Sequence, residues 1–294
     1  MKISMIMVQV ALMAAVAPLV SGFIRKVKNN LRMRKGAPVL QPYYNLAKLL
    51  KKDEVVSEST SWIFRITPFI VLSSVLVTLL LIPFLGRQNS IGYMGDILLV
   101  IFMLSLGRFF MSLAGLDAGS SFGGMGSSRD MFISSLVEPV MLLSIFVVGY
   151  NAGSTNPAVM ASQHPLHLSN IIAALAFFMA MIAETSRIPV DNQETHLELT
   201  MVHEAMILEY SGRRLAMIEL AAHIKQILFF TILANIVIPF GGVALYPLKI
   251  IAIAVIISVM EVSLAKMRLF RVVDFVTFAF ALSIMAMVFS AVGL

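Results

Sequence analysis

Eight stretches of this chain, 3–23, 67–85, 96–113, 131–150, 169–186, 215–240, 248–266 and 274–294, run for about twenty residues with few or no charges. Wound at 1.5 Å per residue, each is long enough to cross a hydrocarbon layer of about 30 Å. Lipid offers the backbone no hydrogen bonds, so such segments must satisfy their own amides as helices. A membrane barrel would show short alternating segments instead. The expected fold is therefore all-α and polytopic, with about eight transmembrane helices in a single membrane domain over 1–294. Only 13% of residues are charged, about half the usual share, so the position of each charge is informative.

The first run is not a secretory signal by pattern, because its basic residues Arg25, Lys26 and Lys28 follow the apolar stretch rather than precede it. It reads as a retained anchor. Ten of the 22 basic residues fall in the linker 24–66, and Arg129, Arg187, Arg213, Arg214, Lys266, Arg268 and Arg271 fall in same-side loops. The opposite side has only Lys2, Arg87 and Lys249. The positive-inside rule then places both termini outside and the loops 24–66, 114–130, 187–214 and 266–273 in the cytoplasm, as expected for a multi-pass protein of a prokaryotic inner membrane. The net charge of +6 is mostly topology and gives no reason to expect a nucleic-acid partner. With no cysteine, the chain has no disulfide and no cysteine-held iron–sulfur cluster.

Two cytoplasmic segments exceed what a connector needs. In the linker 24–66, Tyr43, Ala47 and Leu50 recur at helical spacing beside Lys48, Lys51 and Lys52, the pattern of an amphipathic interfacial helix. It suits an anionic lipid surface, a cytoplasmic partner, or both. The loop 187–214 and the residue Glu184 just before it hold Asp191, Glu194, Glu198, Glu204 and Glu209 with His196 and His203. Asp191 or Asn192 is a fair N-cap after Pro189, and Leu197, Met201, Ala205 and Leu208 would then form one apolar stripe of a cytoplasmic helix. A solvated helix explains these charges. A zinc site is a weaker reading, since His203-Glu204 lacks a second histidine at the required spacing. A third reading is a carboxylate and histidine cluster that passes protons at the end of a span.

Carboxylates placed in or beside spans favour that third reading. Glu138, Glu184, Glu219 and Glu261 stand in spans four to seven, near their cytoplasmic ends. A charge at a helix centre costs about 2.5 to 3.5 kcal/mol on insertion, so these groups need partners, protonation or a wet interior. Glu219 and His223, four apart, can hydrogen-bond along one face, while Lys225 is expected to point elsewhere. Arg108 is expected to pair with Asp117 or Asp130, and Asp96 and Asp274 read as interfacial residues or caps. The segment 114–130, rich in glycine and serine, lacks the features of a phosphate-binding loop and suggests close backbone packing.

At these residues a family resemblance emerges. Ala183-Glu184-Thr185-Ser186-Arg187-Ile188-Pro189-Val190-Asp191 resembles a loop of the first membrane subunit (subunit 1) family of respiratory complex I. Arg34-Lys35-Gly36-Ala37-Pro38-Val39-Leu40-Gln41-Pro42 resembles that family's linker, with Ala37 inserted. Arg108-Phe109-Phe110, Gly115-Leu116-Asp117-Ala118-Gly119-Ser120, Gly126-Ser127-Ser128-Arg129 and Val137-Glu138-Pro139 are similar to the corresponding component of membrane-bound nickel–iron hydrogenases, the formate hydrogenlyase and hydrogenase-4 component C type.

The resemblance implies a heel-like subunit that anchors hydrogenase large and small subunits and an iron–sulfur subunit and abuts antiporter-like membrane subunits. The nickel–iron centre and iron–sulfur clusters would lie in those partners, with no cofactor in this chain. It implies a proton path along Glu138, Glu184, Asp191, Glu198, Glu204, Glu219, His223 and Glu261. It implies partner docking on Arg34, Lys35, Gln41, Arg129, Arg187, His196, His203 and Arg213. Thr195-His196-Leu197-Glu198-Leu199 stands where complex I carries a more acidic run, which weighs against a quinone substrate. The quinone-chamber subunit of complex I is the alternative; a stand-alone secondary transporter is a third, without the broken-helix repeats such folds often show.

Overall fold

The computed structural model describes residues 2–57, 59–82, 96–163, 167–191, 202–237 and 245–293. Its elements are α1 (Lys2–Leu31), α2 (Gln41–Lys51), α3 (Trp62–Leu81), α4 (Ile97–Asp117), α5 (Ser121–Ala152), α6 (Pro157–Gln163), α7 (Leu168–Glu184), α8 (His203–Ile207), α9 (Gly212–Val237), α10 (Tyr246–Ser263) and α11 (Leu269–Val292). There is no strand among the described residues. Seven helices (α1, α3, α4, α5, α9, α10 and α11) are long and apolar enough to span a membrane, and α7 is a shorter apolar helix packed among them. The eight apolar runs are therefore the eight main helices of a multi-pass membrane protein.

Successive long helices run antiparallel, which brings two sets of ends together. At one end Asn151 of α5 donates to Ser169 Oγ (3.0 Å) and Asn170 Oδ1 (2.7 Å) of α7, and accepts from Ser290 Oγ of α11 (2.6 Å). At the other end, here called the loop-rich end, the Asp117 carboxylate at the end of α4 accepts from the amides of Ser61 (2.8 Å) and Phe64 (3.2 Å). Asp117 thereby satisfies orphan donors at the start of α3. It is a cap, not the partner of Arg108. Asp96 caps α4 through the Leu98 amide at 3.0 Å, whereas Asp274 lies exposed within α11 and caps nothing.

The loop expected over 114–130 is mostly helix. Glycine costs about 1 kcal/mol in a helix interior, but here the missing side chains permit close crossings that offset it. A Cβ on Gly126 would lie 2.9 Å from both Ala205 Cβ and the Val202 carbonyl, and one on Gly123 would lie 2.5 Å from the Gly115 carbonyl. Gly126→Val is accordingly expected to destabilise the protein by about 1–3 kcal/mol through overpacking. Thermal unfolding of the detergent-purified chain measures this, and a midpoint equal to the parent's would refute the crossing described.

Two further boundaries differ from expectation. α1 continues past residue 23 to Leu31, so Arg25, Lys26 and Lys28 sit on its last turns rather than in a linker. In the 187–214 region the described helix is the five residues of α8 and the start of α9 from Gly212. Glu194, His196, Leu197, Glu198 and Met201 lie outside the described residues. Ala205 is buried but Leu208 is exposed, which breaks the expected stripe. The amphipathic helix in the linker is present as α2. Its Tyr43 hydroxyl donates to the Ala15 carbonyl of α1, while Ala47 and Leu50 are exposed, so its stripe leaves the bundle after one turn.

Candidate functional site

The helix ends border a cavity of about 210 Å³ between α1, α3, α4, α5, α7 and α9, with residues of the segment 185–191 and of α8 lining its loop-rich side. Its lining is far more polar than the surrounding core. The cations Arg25, Lys28, Arg108, Arg187 and Lys225 face it, with the carboxylates Asp130, Glu184, Asp191, Glu204, Glu219 and Glu261 and the imidazoles His203 and His223. A buried charge costs several kcal/mol unless compensated. The structure compensates by alternating signs.

One chain of alternating charge crosses the fold. Glu184, the last residue of α7 and 8% exposed, receives Lys225 Nζ of α9 at 2.6 Å on one oxygen and Arg108 Nη2 of α4 on the other. Arg108 then reaches Glu138 Oε1 of α5 at 3.4 Å, and Ser105 Oγ donates to the same oxygen at 2.8 Å. The Glu138 side chain is 35% exposed, so the chain runs from the cavity to the outer surface of the bundle.

A second group ties α1 to α10. Glu261, 4% exposed, receives Lys28 Nζ at 3.0 Å and Arg187 Nη1 at 2.6 Å. A third lies beside it. Asp191 receives Lys266 Nζ on Oδ1 at 2.6 Å, and its Oδ2 accepts from the amides of Val202 (3.2 Å) and His203 (3.4 Å). Asp191 therefore caps α8 from eleven residues upstream rather than starting a helix of its own. The buried Tyr210 packs this region onto α3, stacking on Phe64 with ring centroids 3.9 Å apart and donating to the Phe64 carbonyl at 3.0 Å. Burial raises the Tyr210 hydroxyl pKa above its ordinary value.

Among the expected path residues, Glu138 and Glu184 are joined by Arg108, Glu261 and Asp191 anchor the other two groups, and Glu204, Glu219 and His223 line the cavity. No hydrogen bond joins Glu219 to His223 among the described contacts. Glu198 lies outside the described residues. Among the expected docking residues, Arg34, Lys35 and Arg213 are exposed, Arg129 is half-buried, and Gln41 donates to Asn45 within α2 at 3.1 Å. Arg187 and His203 face the cavity instead, and His196 lies outside the described residues.

Sequence reasoning misses three cations. It assigns Lys28 and Lys266 to topology and, while pointing Lys225 away from Glu219, gives it no partner, yet each holds a buried carboxylate. Arg108 pairs with glutamates and not with aspartates. A signal for Lys28 is present: Met13, Ala17, Val20, Ser21 and Ile24 share one buried stripe of α1, and continuing it by four residues lands on Lys28. Among the described residues, no group of three or more histidines and carboxylates is placed to hold a metal ion.

Comparison with known proteins places this geometry in context. Residues 3–291 match the family described as NADH dehydrogenase. Hydrogenase-4 component C of Escherichia coli (strain K12) is 32% identical, over 97% of this chain and 95% of that protein. Formate hydrogenlyase subunit 4 of the same organism is 29% identical over 90% of each. Among solved structures, a chain of the membrane-bound sulfane sulfur reductase, an archaeal respiratory membrane complex, superposes with a TM-score of 0.84 over 96% of this chain and 98% of that one. At 20% identity it speaks to the fold alone.

Proposed function

The chain belongs to that NADH dehydrogenase family, and we propose that it is the membrane anchor and coupling subunit of a multi-subunit, membrane-bound nickel–iron hydrogenase. In this reading it links electron transfer on the cytoplasmic side of the inner membrane to translocation of protons or sodium ions. The observation that carries the proposal is the match to hydrogenase-4 component C, which covers 97% of this chain and 95% of that protein. Hydrogen chemistry would belong to the large and small hydrogenase subunits and the iron–sulfur subunit, docked at the loop-rich end over Arg34, Lys35, Arg129 and Arg213. Antiporter-like subunits would border Glu138.

The coupling role has its own support in the charges. A change of electron count in a docked subunit changes the field at the loop-rich end, where Arg187, Asp191 and Glu261 lie. One charge moved through 100 mV corresponds to about 2.3 kcal/mol, within reach of shifting protons among paired carboxylates. Glu138, at the outer end of the chain of charges, is where such a shift would leave this subunit.

The family description also favours a second reading, the quinone-chamber subunit of NADH:quinone oxidoreductase. Small-molecule sites for apolar ligands are walled mainly by apolar and aromatic groups; this cavity interleaves apolar side chains such as Val75, Leu104, Met111 and Ile133 with charges, and no Phe, Tyr or Trp stands among its described lining residues. Metal analysis of the intact purified complex separates the readings. Nickel together with iron and hydrogen evolution is the expected result; a nickel-free complex with quinone-dependent activity would overturn the proposal.

A further inference from the structure

Residues 187, 189 and 191 each meet the corner between α10 and α11. Arg187 pairs with Glu261, the Pro189 carbonyl accepts from the Met267 amide at 2.9 Å, and Asp191 receives Lys266 Nζ at 2.6 Å. Residues 265–268 belong to no helix, so their amides have no helix of their own to bond to. Asp191 is 2% exposed. Burying a carboxylate is costly unless a cation compensates it, and an ionised carboxylate binds backbone N–H groups more strongly than a neutral acid does. Its other oxygen takes the amides of Val202 and His203 at the head of α8. A five-residue helix cannot hold its own shape, so the placement of α8 depends on such external bonds. Its first two residues, His203 and Glu204, line the cavity.

We propose that Lys266 is a positioning residue for coupling: acting through Asp191, it fixes the start of α8 and so presents His203 and Glu204 to the cavity. The proposal rests on the coupling role above and adds to it a residue of the α10–α11 corner. Lys266→Met leaves Asp191 with only neutral donors among these partners, while Lys266→Arg keeps a cation. The test uses the intact complex in liposomes, with hydrogen–deuterium exchange over 202–207, hydrogen evolution, and ions translocated per hydrogen formed.

In Lys266→Met the amides at 202–207 exchange about tenfold faster, the factor for a lost charge-assisted hydrogen bond. Ions moved per hydrogen fall several-fold at unchanged nickel content, and Lys266→Arg restores both quantities. Parental exchange or a parental ratio in Lys266→Met overturns the proposal, as does an arginine variant as defective as methionine. If Lys266→Met fails to assemble, Lys266→Gln, which keeps a donor and removes the charge, is read by the same signs. A parent complex that neither contains nickel nor evolves hydrogen refutes the functional reading itself, while the exchange measurement still reports on Lys266.

Discussion

Replacing Glu184 with alanine is expected to destabilise the protein by about 3–5 kcal/mol, the cost of removing one partner from a buried ion pair. The residue holds two cations from two helices, Arg108 and Lys225, at a point where its own side chain is almost fully enclosed. Arg108 is the harder of the two to relieve, since a guanidinium does not shed its proton and its side chain is only 8% exposed. At about 2–4 °C per kcal/mol for a chain of this order, the thermal midpoint of the purified chain in detergent should fall by about 10 °C. A companion variant checks that charge, and not volume, is responsible. Combining Glu184→Gln with Arg108→Met removes the acid together with the cation that cannot shed its proton and should recover most of the loss, because a buried pair replaced as a pair is often nearly neutral. A shift of less than about 2 °C in Glu184→Ala, smaller than about 1 kcal/mol, would mean that water screens the cluster.

The number and positions of the long helices were legible because hydropathy over twenty residues depends only on composition along the chain. The carboxylates were legible for the same reason: a glutamate inside an apolar run stands out. Their partners were not. Lys28 lies far along the chain from Glu261, as do Lys225 from Glu184 and Lys266 from Asp191, and a linear sequence gives no distance across helices. The positive-inside rule hid two of them further, since it treats every loop-side cation as an orientation signal when some are counter-ions. The glycine-rich stretch 114–130 misled in the opposite way. Local propensity favoured a loop there, and packing against residues 202–206 decided for helix. Asp191 was expected to cap a helix and does so, but eleven residues away in sequence.

Glu138→Gln should separate coupling from assembly, and the geometry explains why it is the cleaner variant of the two. Its pair with Arg108 is long at 3.4 Å and a third of its side chain is exposed, so the pair contributes about 1 kcal/mol or less. Glutamine keeps the volume and can still accept from Ser105 Oγ, and Arg108 retains Glu184 as its buried partner. The complex should therefore assemble with parental nickel content and thermal midpoint. What glutamine removes is the one protonatable group at the outer end of the chain of charges. If ions leave this subunit through Glu138, translocation in liposomes should fall by about 10²-fold, the lower range for loss of a positioned acid–base group, while hydrogen evolution in the presence of an uncoupler stays at the parental rate. Glu138→Asp, shorter by one methylene but still titratable, should recover part of the translocation. Parental translocation by Glu138→Gln would show that the charges at 108, 138 and 184 hold the helices together without carrying anything between them, and the path would then have to leave the cavity through Glu219, His223 or Glu204.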